Sequence, residues 1–395
     1  MHACAVLQKV LSPVIDSLDA RNARNLLFAV AALLAGRRLT LMELARHWPG
    51  AERVHAPLKR ADRLLGNPRV QTVRTRLYQA AMVWLVCCPR PVLIVDWSEL
   101  KSDGRWHLLR AGVVSRGRTL TLYEEVHPEA HKNARAVEAA FLKRLRAMLP
   151  AEARPIVVTD AGFRVPWFRA VEALGWHWVG RIRHRARVRA LGTAQDTPFM
   201  PRRALYPRAS QRARMLGVFA LTESKRLPCQ LVLARRARRD RGPLTRAGHR
   251  ARGGHAQKMA ARAKEPWLLG ASLSLTDLSA CDIVRLYAQR MQIEQSFRDL
   301  KSHRYGCAFE DTLTRDPRRL EMLLLIHALA SLAAWLEGVV VITATLARGG
   351  RVPRASHHST VWIGWERLRR QSNRLSLTFV LATSRLRELL AQAAT

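Results

Sequence analysis

The spacing of apolar and polar positions changes along the chain, and the changes divide it. Residues 1–88 follow a helical period. In RRLTLMELARHWPG, Leu39, Leu41, Met42, Leu44 and Ala45 recur at helical spacing, Thr40 offers an N-cap hydroxyl and Pro49-Gly50 stops the run. AERVHAPLKRADRLLG predicts a second short helix behind Pro57 that carries Lys59, Arg60 and Arg63, so the pair resembles a helix-turn-helix with a basic second helix. From Pro89 the pattern shifts to short runs rich in Val, Ile and Leu. PVLIVDWSEL, WHLLRAGVVS and TLTLYEEVHP, with turn residues between them, predict an antiparallel meander. A helix (NARAVEAAFLKRLRAML), a strand (RPIVVTDAGF), a helix (PWFRAVEALG) and a strand (WHWVGRIR) follow. This order predicts a mixed α/β sheet with Asp96 and Asp160 at the ends of their strands.

Further along, LGVFALTES, CQLVLARRA and EPWLLGASL read as strands, and the Gly- and Arg-rich stretch between the last two reads as a mobile arm. The segment LSACDIVRLYAQRMQIEQSFRDLKSHRYG, residues 278–306, predicts one long helix, set at 277–305, with Ile283, Leu286, Met291, Ile293, Phe297 and Leu300 as its apolar positions. The C-terminal remainder is helical in pattern. Its run from Met322 to Ala347 is long enough to span a bilayer, but it contains His327 and Glu337 and follows DPRRLE. A buried helix broken near Gly338 is the better expectation, and no membrane partner is expected. The resulting plan has a helical N-terminal domain over 1–88, an α/β core over 89–315 and a C-terminal helical region over 316–395. Within the core, 181–270 form a basic β insertion.

Charge narrows the field. The 395 residues hold 67 Lys and Arg against 30 Asp and Glu, a net charge of +37, while 48% of the residues are hydrophobic. A chain with that much apolar material builds cores, which excludes a disordered basic tail, and so large an excess of one sign calls for a polyanion such as nucleic acid. The stretch 181–264 alone has 23 Lys and Arg against Asp196, Glu223 and Asp240. Six scattered cysteines show neither a disulfide framework nor zinc spacing, and the N-terminus lacks a leader pattern, so a cytoplasmic protein is expected.

The acids in this setting suggest chemistry. Asp96, Asp160 and Glu294 supply the hard oxygen donors that suit divalent cations, and two Mg²⁺ ions, or Mn²⁺, can serve both sides of a phosphodiester. Tyr287, Arg290, Glu294 and Lys301 stand at offsets of three, four and seven, which returns side chains to one face of a helix. On such a stripe the glutamate can hold metal while the phenol and the two cations hold phosphate oxygens. His127, His131 and His177 lack ligand spacing, and Cys87-Cys88 reads as packing.

The spacing Tyr287-x2-Arg290-x3-Glu294-x6-Lys301 resembles the signature of the insertion-sequence family four transposases. IVDWSEL around Asp96 and VVTDAGF around Asp160 look like that family's first two acidic motifs. The resemblance runs from about residue 35 to about 330. It implies a ribonuclease-H-like core interrupted by a β insertion, and a DDE enzyme that excises and rejoins DNA through a hairpin intermediate. It also implies a stacking role for Trp267 on a flipped base, double-stranded DNA as substrate, and a homodimer with the C-terminal helices as interface. Rival readings are a ribonuclease-H-like nuclease or resolvase, an inactive DNA-binding repressor and a basic protein of membrane surfaces.

Overall fold

The computed structural model describes residues 3–192, 197–235, 253–254, 265–355 and 357–371. Most of the Gly- and Arg-rich arm lies outside the described residues. The chain forms two compact units: residues 1–155 with 290–395, and residues 156–289.

The first unit opens with five helices: α1 (Ala3–Ile15), α2 (Ala20–Gly36), α3 (Leu41–Arg46), α4 (His55–Gly66) and α5 (Pro68–Leu85). Their starts follow local chemistry. The side chains of Asp19, Thr40 and Asn67 each accept a hydrogen bond from a backbone N–H two or three residues on, and Pro68 takes the first helical position, where no N–H is missed. The expected cap at Thr40 is therefore present. Helix α4 buries Pro57, Ala61, Leu64 and Leu65 and leaves Lys59, Arg60 and Arg63 exposed.

Strands β1 (Val92–Glu99), β2 (Trp106–Ser115) and β3 (Arg118–Pro128) then form the expected antiparallel meander, ordered β3-β2-β1, and α6 (Arg135–Met148) follows. Asp96 is not at a strand end. The apolar run stops there, but backbone pairing does not depend on side-chain polarity, and the ladder continues to Glu99 opposite His107. Asp96 stands opposite Arg110. The fully buried Arg110 donates its Nε–H to Glu124 (2.7 Å), whose other oxygen accepts from Tyr78 (2.7 Å).

The second unit contains β4 (Ile156–Thr159), α7 (Val165–Ala173), β5 (His177–Arg181), β6 (Arg187–Ala190), β7 (Met200–Pro201), β8 (Arg214–Leu221), β9 (Leu227–Ala234), β10 (Trp267–Ala271) and α8 (Ala280–Ala288). Its strands run in the order β4-β5-β10-β9-β8-β6-β7, parallel between β4 and β5 and antiparallel beyond. The insertion strands thus continue the sheet of β4 and β5 through β10. Three antiparallel strands, a helix, a strand, a helix and a parallel strand give the mixed α/β succession that the pattern predicts.

The long helix expected over 277–305 is two helices. Helix α8 ends at Ala288 and α9 covers Met291–Lys301. At the joint, Gln289 N–H bonds to Leu286 O (3.1 Å) and Ile293 N–H to Arg290 O (3.2 Å), so i→i+3 bonds interrupt the α-helical ladder without any proline or glycine. Two more helices of the first unit follow, α10 (Pro317–Ala347) and α11 (Thr360–Arg370).

Helix α10 runs through Gly338 without a break. The glycine serves packing instead, because a Cβ there would overlap the carbonyl of Thr360, and one at Gly364 would overlap that of Ala334. In its most apolar stretch 78% of the residues are buried inside the protein, and α2, α4, α5, α11 and β3 cover it. Glu337 is fully buried there.

Candidate active site

Within the first unit, Asp96 and Glu294 converge on one guanidinium. Asp96 Oδ1 accepts the Trp97 backbone N–H (2.9 Å), and its Oδ2 accepts from Arg290 Nη1 (3.2 Å). Glu294 Oε1 accepts from Arg290 Nη2 (2.5 Å). The side chain of Asp96 is 12% exposed and that of Glu294 is 40% exposed, so the pair lies at a boundary between core and surface. Two carboxylates, one from strand β1 and one from a later helix, are hard donors, and this set fits a divalent cation.

Helix α9 holds Glu294 in place by the buried flank beside it. Ile293, Phe297 and Leu300 are buried, and the Arg110 guanidinium lies 5.1 Å from the centre of the Phe297 ring. Ser296, two residues after Glu294, accepts the Thr119 N–H (2.9 Å) and donates to Gln292 O (3.0 Å). Arg118 forks onto Asp299, with Nη2 at 3.1 Å from Oδ1. Lys301 does not face outward with Glu294. Its Nζ donates to Ser98 Oγ (3.0 Å) and to Glu99 O (2.9 Å), fastening α9 to the end of β1. Burial lowers the Lys301 pKa, opposed by Glu310 and Glu99. Ser98 and Ser296 escape sequence reasoning because a lone serine has no spacing to mark it.

The remaining candidates of the core lie in the second unit. Asp160 follows β4 directly, and its Oδ1 accepts the Gly162 N–H (2.7 Å), which fixes the carboxylate over the turn. Tyr287 on α8 is buried, and its ring meets that of Trp267 edge-on with centroids 4.8 Å apart. Burial, with Arg183 alongside, pushes the neighbouring Arg181 guanidinium down to about 10, and Tyr287 and Glu265 oppose the shift. Because the helix is interrupted after Ala288, Tyr287 does not share one continuous helical stripe with Arg290, Glu294 and Lys301. Only the last three keep their offsets on or beside α9.

Among the described residues no group of three or more His, Cys, Asp or Glu stands in metal-binding geometry. His127 is committed to Glu125 (3.0 Å), and Trp97 donates to Glu138 (3.3 Å), so both belong to packing around β3 and α6.

Residues 88–333 match the transposase DDE domain family, and the chain belongs to that family. It is therefore a DNA transposase of the DDE class, a polynucleotidyl transferase or endonuclease by chemistry, and enzymes of this class use divalent metal ions. No curated protein matches the chain. Among solved structures, a cryo-EM structure of a piggyBac transposase synaptic complex with hairpin DNA is similar over 99% of this chain and 84% of that chain. That similarity has a TM-score of 0.44 and 11% sequence identity.

Proposed function

We propose that this transposase is of the insertion-sequence family four kind. It cuts double-stranded DNA at the element's terminal repeats, passes through a hairpin and joins the freed ends to a target. The observation that carries the reading is the convergence of Asp96 and Glu294 on Arg290 in a chain of the DDE family.

Asp96 and Glu294, with Asp160 as third acid, are the residues that would hold Mg²⁺, two ions in this reading, or Mn²⁺. Bound there, a divalent cation supplies positive charge to the scissile phosphate and acidifies the attacking water. Arg290 is within reach to neutralise a phosphate oxygen beside the acids. Lys301 keeps the β1 end against α9 so that Asp96 and Glu294 stay in register. Trp267, whose ring stands at 83° to that of Tyr287, would stack an unpaired base. In the reaction, water attacks the terminal phosphodiester and the 3′-oxygen leaves as a hydroxyl. That hydroxyl attacks the phosphodiester of the opposite strand and expels the 3′-oxygen of the flanking DNA, closing a hairpin. A second water opens the hairpin phosphodiester, whose 3′-oxygen leaves as a hydroxyl and in turn attacks a target phosphodiester, expelling a target 3′-oxygen. Lys59, Arg60 and Arg63 on α4 would contact phosphates of the terminal repeats. Two copies of the chain, paired through their C-terminal helices, would hold the two ends, and the protein would work in the cytoplasm.

The test is cleavage and joining of a labelled duplex carrying the repeats that flank the gene, with Mg²⁺, for the wild type and Glu294→Gln in parallel. Hairpin and joined products that vanish with the substitution support the reading. A wild type that binds the repeats without yielding a metal-dependent product overturns it in favour of a repressor.

A further inference from the structure

The position of Arg290 is electrostatically odd. It is the residue before the first turn of α9, where the helix dipole presents positive partial charge, and it stands four residues N-terminal to Glu294, the less favourable order for an i,i+4 ion pair. The helix itself gains little from a cation there. What the guanidinium does instead is reach two carboxylates on separate elements at once, Asp96 on β1 at 3.2 Å and Glu294 on α9 at 2.5 Å. Arginine suits this task, since its planar fork can place separate N–H groups on separate acceptors. Its side chain is 14% exposed and that of Asp96 12%, against 40% for Glu294, so the Asp96 arm of the bridge is the better shielded from screening by solvent.

We propose that Arg290 is a built-in counter-cation of the Asp96–Glu294 pair, which an incoming divalent ion must displace. This rests on the active-site reading above and deepens it. Without DNA the guanidinium offsets the repulsion between the two carboxylates and keeps them gathered. It also engages Oδ2 of Asp96 and Oε1 of Glu294, one oxygen of each carboxylate that would serve a divalent cation. Loading the site therefore exchanges one positive partner for another. The released guanidinium becomes available to a phosphate, so metal loading and the grip on DNA are linked through one side chain.

The experiment measures Mn²⁺ binding to the full-length protein without DNA, by electron paramagnetic resonance of the free ion. It compares the wild type with Arg290→Gln, Arg290→Lys, Asp96→Asn and Glu294→Gln. Arg290→Gln is expected to bind Mn²⁺ roughly tenfold more tightly than the wild type, because a competing charge a few ångströms away is gone. Arg290→Lys keeps a charge but not the fork, and is expected to fall between them. It also serves if the glutamine variant does not fold. Affinity that is unchanged or weaker in the folded Arg290 variants overturns the proposal. If Asp96→Asn and Glu294→Gln bind Mn²⁺ as the wild type does, these carboxylates are not the metal site and the active-site reading itself fails.

Discussion

Glu124 has no exposed surface and both of its oxygens are engaged, one by Tyr78 and the other by Arg110, while its backbone carbonyl accepts from Arg74 (2.9 Å). Glu124→Leu strands the fully buried Arg110 on β2, the residue paired across the ladder with Asp96. A loss of about 3–5 kcal/mol in urea unfolding is expected, against about 1–3 kcal/mol for Tyr78→Phe, which removes only one donor. Two other buried groups shape the acid limb of stability. Burial, with the Arg110 charge nearby, pushes the His327 imidazole from its ordinary 6.5 down to about 3. Between those values the unfolded chain takes up a proton that the folded one refuses, so stability falls as the pH drops from about 6.5 toward 3. Glu125 is held at about 2 by His127, Arg144 and Tyr123 against the opposing effect of burial. Its contribution is complete above about 4.5 and fades as the pH falls toward 2. His327→Leu is therefore expected to flatten the profile between pH 6.5 and 4.5 by up to about 1.4 kcal/mol per pH unit, leaving the decline below it, as measured by denaturation at stepped pH. A profile as steep as the wild type's in that window would show that His327 is not the group responsible.

The packing of α10 and α11 depends on two glycines facing each other's backbones, Gly338 against Thr360 and Gly364 against Ala334. Backbone atoms cannot move aside as a flexible side chain can. Gly364→Ala is therefore expected to push α11 off α10 and to cost about 1–3 kcal/mol, seen as a fall of several degrees in the thermal midpoint. Sequence alone reads Gly338 as a helix breaker, because a glycine in an apolar run says nothing about which backbone will approach it. The same limit applies to the joint between α8 and α9. Gln289 and Arg290 are ordinary helix formers, and the apolar positions keep their helical spacing across them, so nothing in the pattern marks the switch to i→i+3 bonds. Where a local signal exists, as in the hydroxyl of Thr40 and the Val- and Ile-rich runs of β1 and β4, pattern and structure agree. That Asp96 and Glu294 supply hard oxygen donors was legible in the residue types. The bridge through Arg290 and the clamp of Lys301 on Ser98 and Glu99 were not, because both join residues far apart in the chain.

At the scale of the whole molecule the net charge of +37 governs how the protein meets DNA. Each phosphate neutralised by a Lys or Arg releases condensed counterions, so affinity for a duplex falls linearly with salt on logarithmic axes. With about six to ten phosphates neutralised, binding weakens by about 10³–10⁵ between 50 and 200 mM salt. Lys59, Arg60 and Arg63 are exposed on the solvent side of α4, whose other face is buried. If they touch the phosphates of the terminal repeats, replacing all three with glutamine reduces the salt slope by about 2.7, about 0.9 for each phosphate no longer neutralised, and leaves the fold intact because none of them is buried. Fluorescence anisotropy of a labelled repeat-end duplex over a salt series measures that slope directly. An unchanged slope in the triple variant would remove α4 from the DNA interface and leave the remaining basic surface to account for binding. A reduced slope on the terminal repeat together with an unchanged ratio of affinities for repeat and random duplexes would make α4 a phosphate grip and place sequence reading elsewhere in the chain.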